Sequence, residues 1–431
     1  MKWRDWDINL KIRLIGEGLF NLLFWMFFPF MAIYFSEVFG QRTAGLLLTL
    51  AQLFSAAIGL MGGYFSDHYG RKRMMVLSAA CQAVCFCFFA LANAPWFSSP
   101  VITFISFTML GVFGQLYHPA ASAMIADIVA ERYRARVFAV FYTLTNICVV
   151  IGPLLGGLLF FKHRFLTLIL CFVVCAAIAL LLAKKTHETA PLKSSAQAAL
   201  PDGRWYDYLG QQLADMKKIV TDRLFVLYIL AGILVAQTFM QLDLLIAIYS
   251  ANHVPNQTLL GFGSWNWTIG GSSLFSLMVS LNGLIVALLT VVVCRWMERF
   301  NERGVFMCSA FFYGTAMILI GSTVNAWMLL LAVGIMSWAE VMTVGVQDSF
   351  IAKIAPLQMR GQYYSFAGLR FSIGRSIAPL SLTLAIWVGY FHAFLVLAAI
   401  AFVGMALYGY IFTQYEKSGL RQQQQKWVSQ N

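Results

Sequence analysis

Charge is what this sequence has least of. Asp, Glu, Lys and Arg make up 11% of its 431 residues, where soluble globular domains carry about 25%. So few charges cannot cover a water-facing surface, and a content of 60% hydrophobic residues places the chain in a bilayer. Acids are scarcer than bases, 18 against 30. The eight cysteines (Cys81, Cys85, Cys87, Cys148, Cys171, Cys175, Cys294 and Cys308) all lie in or beside apolar runs. That excludes a disulfide framework and leaves them as small packing residues. The six histidines form no cluster, so no zinc pattern is present. A nucleotide loop and a nucleophile motif are missing too, and no enzyme is expected. The opening MKWRDWDINLKIR is polar, and no small-residue cleavage site follows the first apolar run. No signal peptide is therefore expected.

What is present is a series of long apolar runs. A membrane span needs about 20 apolar residues, and twelve runs qualify: 14–36, 44–66, 74–94, 99–126, 137–160, 165–183, 224–249, 272–294, 305–324, 326–351, 362–387 and 392–414. Each is too long for a barrel strand and shows no period-two alternation, so an all-α membrane protein is expected. Twenty-five Lys and Arg fall on the side that holds both termini, and only Arg42, Lys162 and Arg164 on the other. The excess predicts cytoplasmic termini in a multi-pass cell-membrane protein. It also accounts for the net charge of +12 without a nucleic-acid partner.

Residues 184–223 are polar and divide the spans six and six, with a possible interfacial helix from Trp205 to Val220. This gives an N-terminal half (1–183), a central loop (184–223) and a C-terminal half with a short tail (224–431). At an offset of 226 residues, Ile125, Ala126, Ile128 and Arg134 fall on Ile351, Ala352, Ile354 and Arg360, and Pro153 and Leu154 on Pro379 and Leu380. Two six-span halves related by a parallel repeat resemble the major facilitator architecture.

The most specific segment is GGYFSDHYGRKR, residues 62–73, between spans 2 and 3. Gly63 and Gly70 permit a sharp reversal, Asp67 can accept from a helix N-terminus, and Arg71, Lys72 and Arg73 suit the headgroup layer. The run resembles the major facilitator signature G-x-x-x-D-R-x-G-R-[KR], with His68 in place of the first Arg. The resemblance implies a conformational latch in which Arg71 pairs with Asp127. A worn copy, Glu298-Arg299-Phe300-Asn301, stands in the second half. In span 5, Gly152-Pro153-Leu154-Leu155-Gly156-Gly157 is similar to the core of the antiporter motif of drug–proton exchangers, with Cys148 where a Gly is usual. Physically it is a kink and a close-packing face.

Ionisable groups inside spans cost roughly 2.5–3.5 kcal/mol on insertion scales, so each is a candidate site. Asp243 lies in span 7, Glu340 in span 10, and Arg370 and Arg375 in span 11. Glu340 and Arg375 sit at similar depth, either as a static pair or with Glu340 titrating; Asp243 shows no basic neighbour at its depth. Glu17 follows Arg13 by four residues, a possible same-helix pair. His118, before Pro119, can relay protons or bond a carbonyl. Asp348 is expected at the headgroups. In span 1, Asn21, Trp25, Phe28 and Ala32 are spaced to share a face, with a kink at Pro29; Glu17, Asn21, Trp25, His118 and Asn146 are candidates for a cavity wall.

WDINLKIRL at the start, the span 2–3 loop, MQLD of span 7 and AE of span 10 together resemble the LmrP-type multidrug transporters of the drug–proton antiporter group. That likeness implies that Asp243 and Glu340 bind lipophilic cations or carry protons, and that Asp67 and Asp127 serve proton-linked switching. The stretch FYTLTN lacks the acid found early in span 5 of that group. The expected activity is proton-driven efflux of hydrophobic, often cationic compounds by alternating access, in a monomer without cofactor. The alternatives are a carrier dedicated to one metabolite, peptide or lipid, and a non-transporting sensor or scaffold.

Overall fold

The computed structural model describes residues 6–160, 162–189, 210, 220–262, 265–297, 299–354 and 360–430. Ten described helices are long and apolar enough to cross a membrane. A bent pair, Phe366–Ile377 with Leu380–Val388, makes an eleventh. The expected span at 137–160 is the helix Glu131–Leu159, whose apolar stretch, Thr143–Leu159, is shorter. Helices are the physical solution because hydrocarbon offers backbone N–H and C=O groups no partner outside the segment. Large apolar side chains point outward along them: Leu158 and Leu166 in the first half and Leu288 and Val292 in the second are more than three-fifths exposed. Lipid, not water, suits that surface.

Two compact units divide the chain. One is Met1–Gln211 with Ser272–Gly283; the other is Gln212–Gly271 with Leu284–Asn431. The first three turns of span 8 thus belong with the first unit, where Phe275 packs edge-on against Phe30. Inside the first unit, Phe27 meets Phe86 and Phe89 edge-on at 5.5 and 5.7 Å. The second unit is centred on Tyr228, Phe306, Phe350, Tyr408 and Phe412, with ring centroids as close as 4.4 Å. Such offset and edge contacts are the preferred aromatic geometries.

Span continuity is broken at three places. Span 1 passes from Ile8–Phe27 through a 3-10 turn at Phe28–Phe30 to Met31–Phe39. Pro29 has no N–H to continue the helix. Asn21 and Trp25 precede the turn, Phe28 opens it and Ala32 follows it. Span 7 passes from Arg223–Phe239 through a 3-10 turn at Met240–Asp243 to Leu245–His253. Span 11 bends by 44° just before Leu380, with Pro379 as the helix cap. Its repeat counterpart, Pro153, stays inside a continuous helix.

Two antiparallel hairpins, Asn93–Ala94 with Phe97–Ser98 and Gln257–Phe262 with Trp265–Ile269, were not expected from the sequence. The second is tied to the start of span 10: Ala326 N donates to Gln257 Oε1 and Trp327 Nε1 to the Leu259 carbonyl. The Trp205–Val220 helix, Glu298 and the Asp348 side chain lie outside the described residues.

Candidate functional site

The span 2–3 loop is a one-residue reversal. Helix Gln41–Tyr69 ends and helix Arg71–Leu91 begins at Gly70, whose φ of +99° suits only glycine. Arg71 Nε donates to Asp127 Oδ2 at 3.2 Å, and Arg71 Nη1 to the Ser66 carbonyl at 3.2 Å. Gly63 and Asp67 fall within helix Gln41–Tyr69, and the Asp67 side chain lies outside the described residues. Lys72 contributes its backbone N–H, which donates to Glu188 Oε1 at 3.2 Å.

Glu188, which the motif does not contain, joins the same network. Its Oε1 also accepts from Arg71 N at 2.8 Å and Thr189 N at 3.1 Å. A carboxylate at the first N–H groups of a helix meets both unbonded donors and the positive end of the dipole. Thr189 Oγ1 then donates to Asp127 Oδ2 at 3.2 Å, so Asp127 serves Arg71 and Thr189 together. One residue earlier, the His187 backbone and the Asn9 amide exchange two bonds of 3.1 Å. Residues 187–189 form a clip between the latch and the first helix. The signal in the sequence was a single acid in KKTHET, directly after span 6.

The antiporter-like glycines are points of helix contact. A Cβ on Gly152 would stand 2.5 Å from Trp25 Cβ, and one on Gly156 would stand 2.0 Å from the Met26 carbonyl oxygen. Pro153 is buried between them. A Cβ on Gly157 would meet Ser276 Oγ at 2.4 Å. Cys148 Sγ, at the departure from the motif, donates to the Gly18 carbonyl at 3.3 Å. Trp25 is thus taken up by the span 1–span 5 contact.

The first unit holds a cavity of about 550 Å³ between spans 1, 3, 4, 5 and 6. Glu17, Asn21 and His118 line it; Trp25 and Asn146 are not among its lining residues. Arg13, 2% exposed, donates through Nε and Nη2 to Glu17 Oε1 at 2.9 and 2.7 Å and through Nη1 to the Ala121 carbonyl at 2.6 Å. Its guanidinium also lies 5.0 Å from the Phe141 ring centre. Tyr117 Oη donates to the same Glu17 oxygen at 3.2 Å, and Asn21 Nδ2 to the Glu17 carbonyl at 2.8 Å. The Arg13–Glu17 pair is the same-helix contact that the four-residue spacing offered; Tyr117 and Gln82 are wall residues that the spacing did not single out, because they come from other spans.

In the second unit the breaks of spans 7 and 11 are stitched together. Gln241, fully buried in the span 7 turn, donates to the Ala378 carbonyl at 3.3 Å and accepts from Ser381 Oγ at 2.6 Å. This brings Asp243 within electrostatic range of Arg375. The expectation that Asp243 has no basic neighbour is therefore corrected; the helix breaks, invisible in a linear count of depth, supply one. Asp243 is partly exposed as a residue, yet its Oδ1 is shut off from solvent and has no hydrogen-bond partner among the described residues. Glu340 lies within electrostatic range of the buried Tyr313 of span 9. Arg370, 6% exposed, is held by neutral groups: Tyr228 Oη at 3.1 Å, Gln347 Oε1 at 2.5 Å and the Phe371 ring at 4.9 Å.

Broken spans with charges at the breaks, in a chain of stacked apolar helices, define a multi-pass membrane transporter. The family model of the Major Facilitator Superfamily matches residues 14–272 and 267–429. The chain belongs to that superfamily and is a secondary transporter of its type. It is 46% identical to a Na(+), Li(+), K(+)/H(+) antiporter of Planococcus maritimus, over 97% of this chain and 99% of the relative. It is 25% identical to Multidrug resistance protein MdtH of Salmonella choleraesuis, over 86% of this chain and 85% of that protein. A crystal structure of the peptide transporter POT in complex with sulfate has the same fold, with a TM-score of 0.75 at 16% identity, covering 96% of each chain.

Proposed function

We propose that the chain exchanges protons for cations, with monovalent metal ions as one cargo. The observation that carries the reading is Asp243: a carboxylate in a broken membrane helix, with one shielded and unpartnered oxygen and Arg375 within range. An acid so placed is unstable as a bare anion and must be protonated, paired or bound to a cation in each state of the cycle. A proton and a metal ion then compete for one negative charge, the simplest physical basis of exchange. The 46% identical relative, named for Na(+), Li(+), K(+)/H(+) antiport, supports this cargo.

Hydrophobic organic cations form a second cargo reading, supported by the MdtH relatives and the LmrP-type residues around Asp243 and Glu340. In this proposal the chain works as a monomer in the cell membrane by alternating access, with cytoplasmic termini, and draws only on ion gradients. The test is reconstitution into proteoliposomes with an imposed pH gradient. Addition of Na+, Li+ or K+ should dissipate the gradient in a protein-dependent way, and a pH gradient should drive uptake of the metal ion. If none of the three ions moves protons, the inorganic-cation reading is wrong. If a lipophilic cation moves them instead, the second reading stands alone.

A further inference from the structure

From the cavity of the first unit we infer that the N-terminal half carries its own binding site for a protonated arylalkylamine, anchored on Glu17 and separate from Asp243. The inference deepens the organic-cation reading and rests on it for transport. The binding itself stands on the cavity alone.

The cavity measures about 550 Å³, within the range of sites that take drug-sized molecules, about 300–1,000 Å³. A dehydrated alkali ion would leave nearly all of it unfilled. Four polar groups face it with no partner among the described residues: Glu17 Oε2, Asn21 Oδ1, the His118 ring and the Gln82 amide. Gln82 is only 5% exposed, and its amide opens onto the cavity. These groups call for a ligand with hydrogen-bond donors.

The carboxylate is built to present one oxygen. Arg13 and Tyr117 together place three donors on Oε1. Those bonds fix the rotamer and leave Oε2 to a fourth donor. Three of the five N–H donors of Arg13 are used within the protein, two on Glu17 and one on the Ala121 carbonyl, and its charge is paired with Glu17. An ammonium on Oε2 forms a charge-assisted bond, with Asn21 Oδ1 and Gln82 Oε1 as neutral acceptors. Phe20, Tyr117 and Phe141 supply faces for an aromatic body, and Phe141 already receives the Arg13 cation.

The test uses the purified full chain and two probes of the same ring and chain length: dansylcadaverine, with a terminal ammonium, and N-hexyl dansylamide, which lacks it. Fluorescence titration should show the ammonium probe bound about tenfold more tightly than the neutral one, the gain of one charge-assisted bond. Glu17→Gln should remove that preference while the neutral probe binds as before. Equal affinity for the two probes in the wild type, or a preference retained in Glu17→Gln, overturns the inference. Should Glu17→Gln fail to fold because Arg13 loses its partner, Gln82→Leu and Asn21→Leu leave that ion pair in place. Weaker ammonium binding in either supports the site, and unchanged affinity in both overturns it. Alkali-cation exchange is measured on the same wild-type preparation. Exchange without ammonium preference sinks this inference alone; preference without exchange sinks the inorganic-cation reading alone.

Discussion

A buried arginine shows how much a single hydroxyl can carry. Among the described residues Arg370 has no carboxylate partner and leans on Tyr228, Gln347 and the Phe371 ring. Tyr228→Phe keeps the ring stack but withdraws one acceptor from a buried cation. The expected loss is about 1–3 kcal/mol of stability, read as a lower melting temperature in detergent; an unchanged melt would show that the bond is not needed. Arg375 poses a different question, because counting along the spans sets it level with Glu340, whereas the structure has Asp243 within its electrostatic range. Arg375→Met should alter the pH profile of exchange in the wild type. In an Asp243→Asn background the same change should have little further effect, since residues that share a partner are not additive. Additive effects would assign Arg375 to Glu340 instead. The identity of the charged residues was legible in the sequence, because acids and bases inside apolar runs stand out. Their pairing was not, because depth was counted along unbroken helices and MQLD contains neither Pro nor Gly to announce a break.

At the scale of elements, the junction at Gly70 joins two observations that a motif alone does not connect. The reversal needs a positive φ, and the space beside it is taken by Glu188, whose Oε2 would lie 2.5 Å from a Cβ at Gly70. Gly70→Ala therefore strains the backbone and expels the clip at once. Glu188→Ala removes only the cap, worth about 1 kcal/mol for a typical helix N-terminus. Both variants should slow exchange, Gly70→Ala more, with the protein still inserted. Wild-type rates in Glu188→Ala would show that the clip has no part in switching. The loop signature located the reversal, and Pro29 located the break in span 1. Glu188 stayed hidden because its partners are 116 and 117 residues away, and no local pattern encodes that distance. The hairpin Gln257–Ile269 was hidden for the opposite reason: it is a short strand pair among runs read only for helix length.

For the whole molecule, composition was enough to reach the class and nearly every span. The lipid-exposed Leu and Val side chains have the same origin as the scarcity of charge, since hydrocarbon accepts one and excludes the other. Orientation rests on the distribution of Lys and Arg and can be checked directly. A cysteine placed at Ser98, in the hairpin between spans 3 and 4, should react with a membrane-impermeant thiol reagent on intact cells. A cysteine at Arg73 should react only in inverted vesicles. The reverse pattern would turn the topology over and with it the direction of every gradient argument above.

The contact between Gly156 and the Met26 carbonyl has a consequence for which sequences can survive. A side chain blocked by another side chain can be rescued, because the neighbour can shrink or rotate. A side chain blocked by a backbone oxygen 2.0 Å away has no such neighbour to change. In a selection from a saturation library, Gly156 should therefore return as glycine alone, with alanine and serine lost. Gly157, facing the Ser276 hydroxymethyl group with the Phe30 ring in ordinary contact at 4.0 Å, should return with small residues whenever position 276 is allowed to vary with it. Two adjacent glycines of one motif would then record different histories of substitution, one closed and one negotiable.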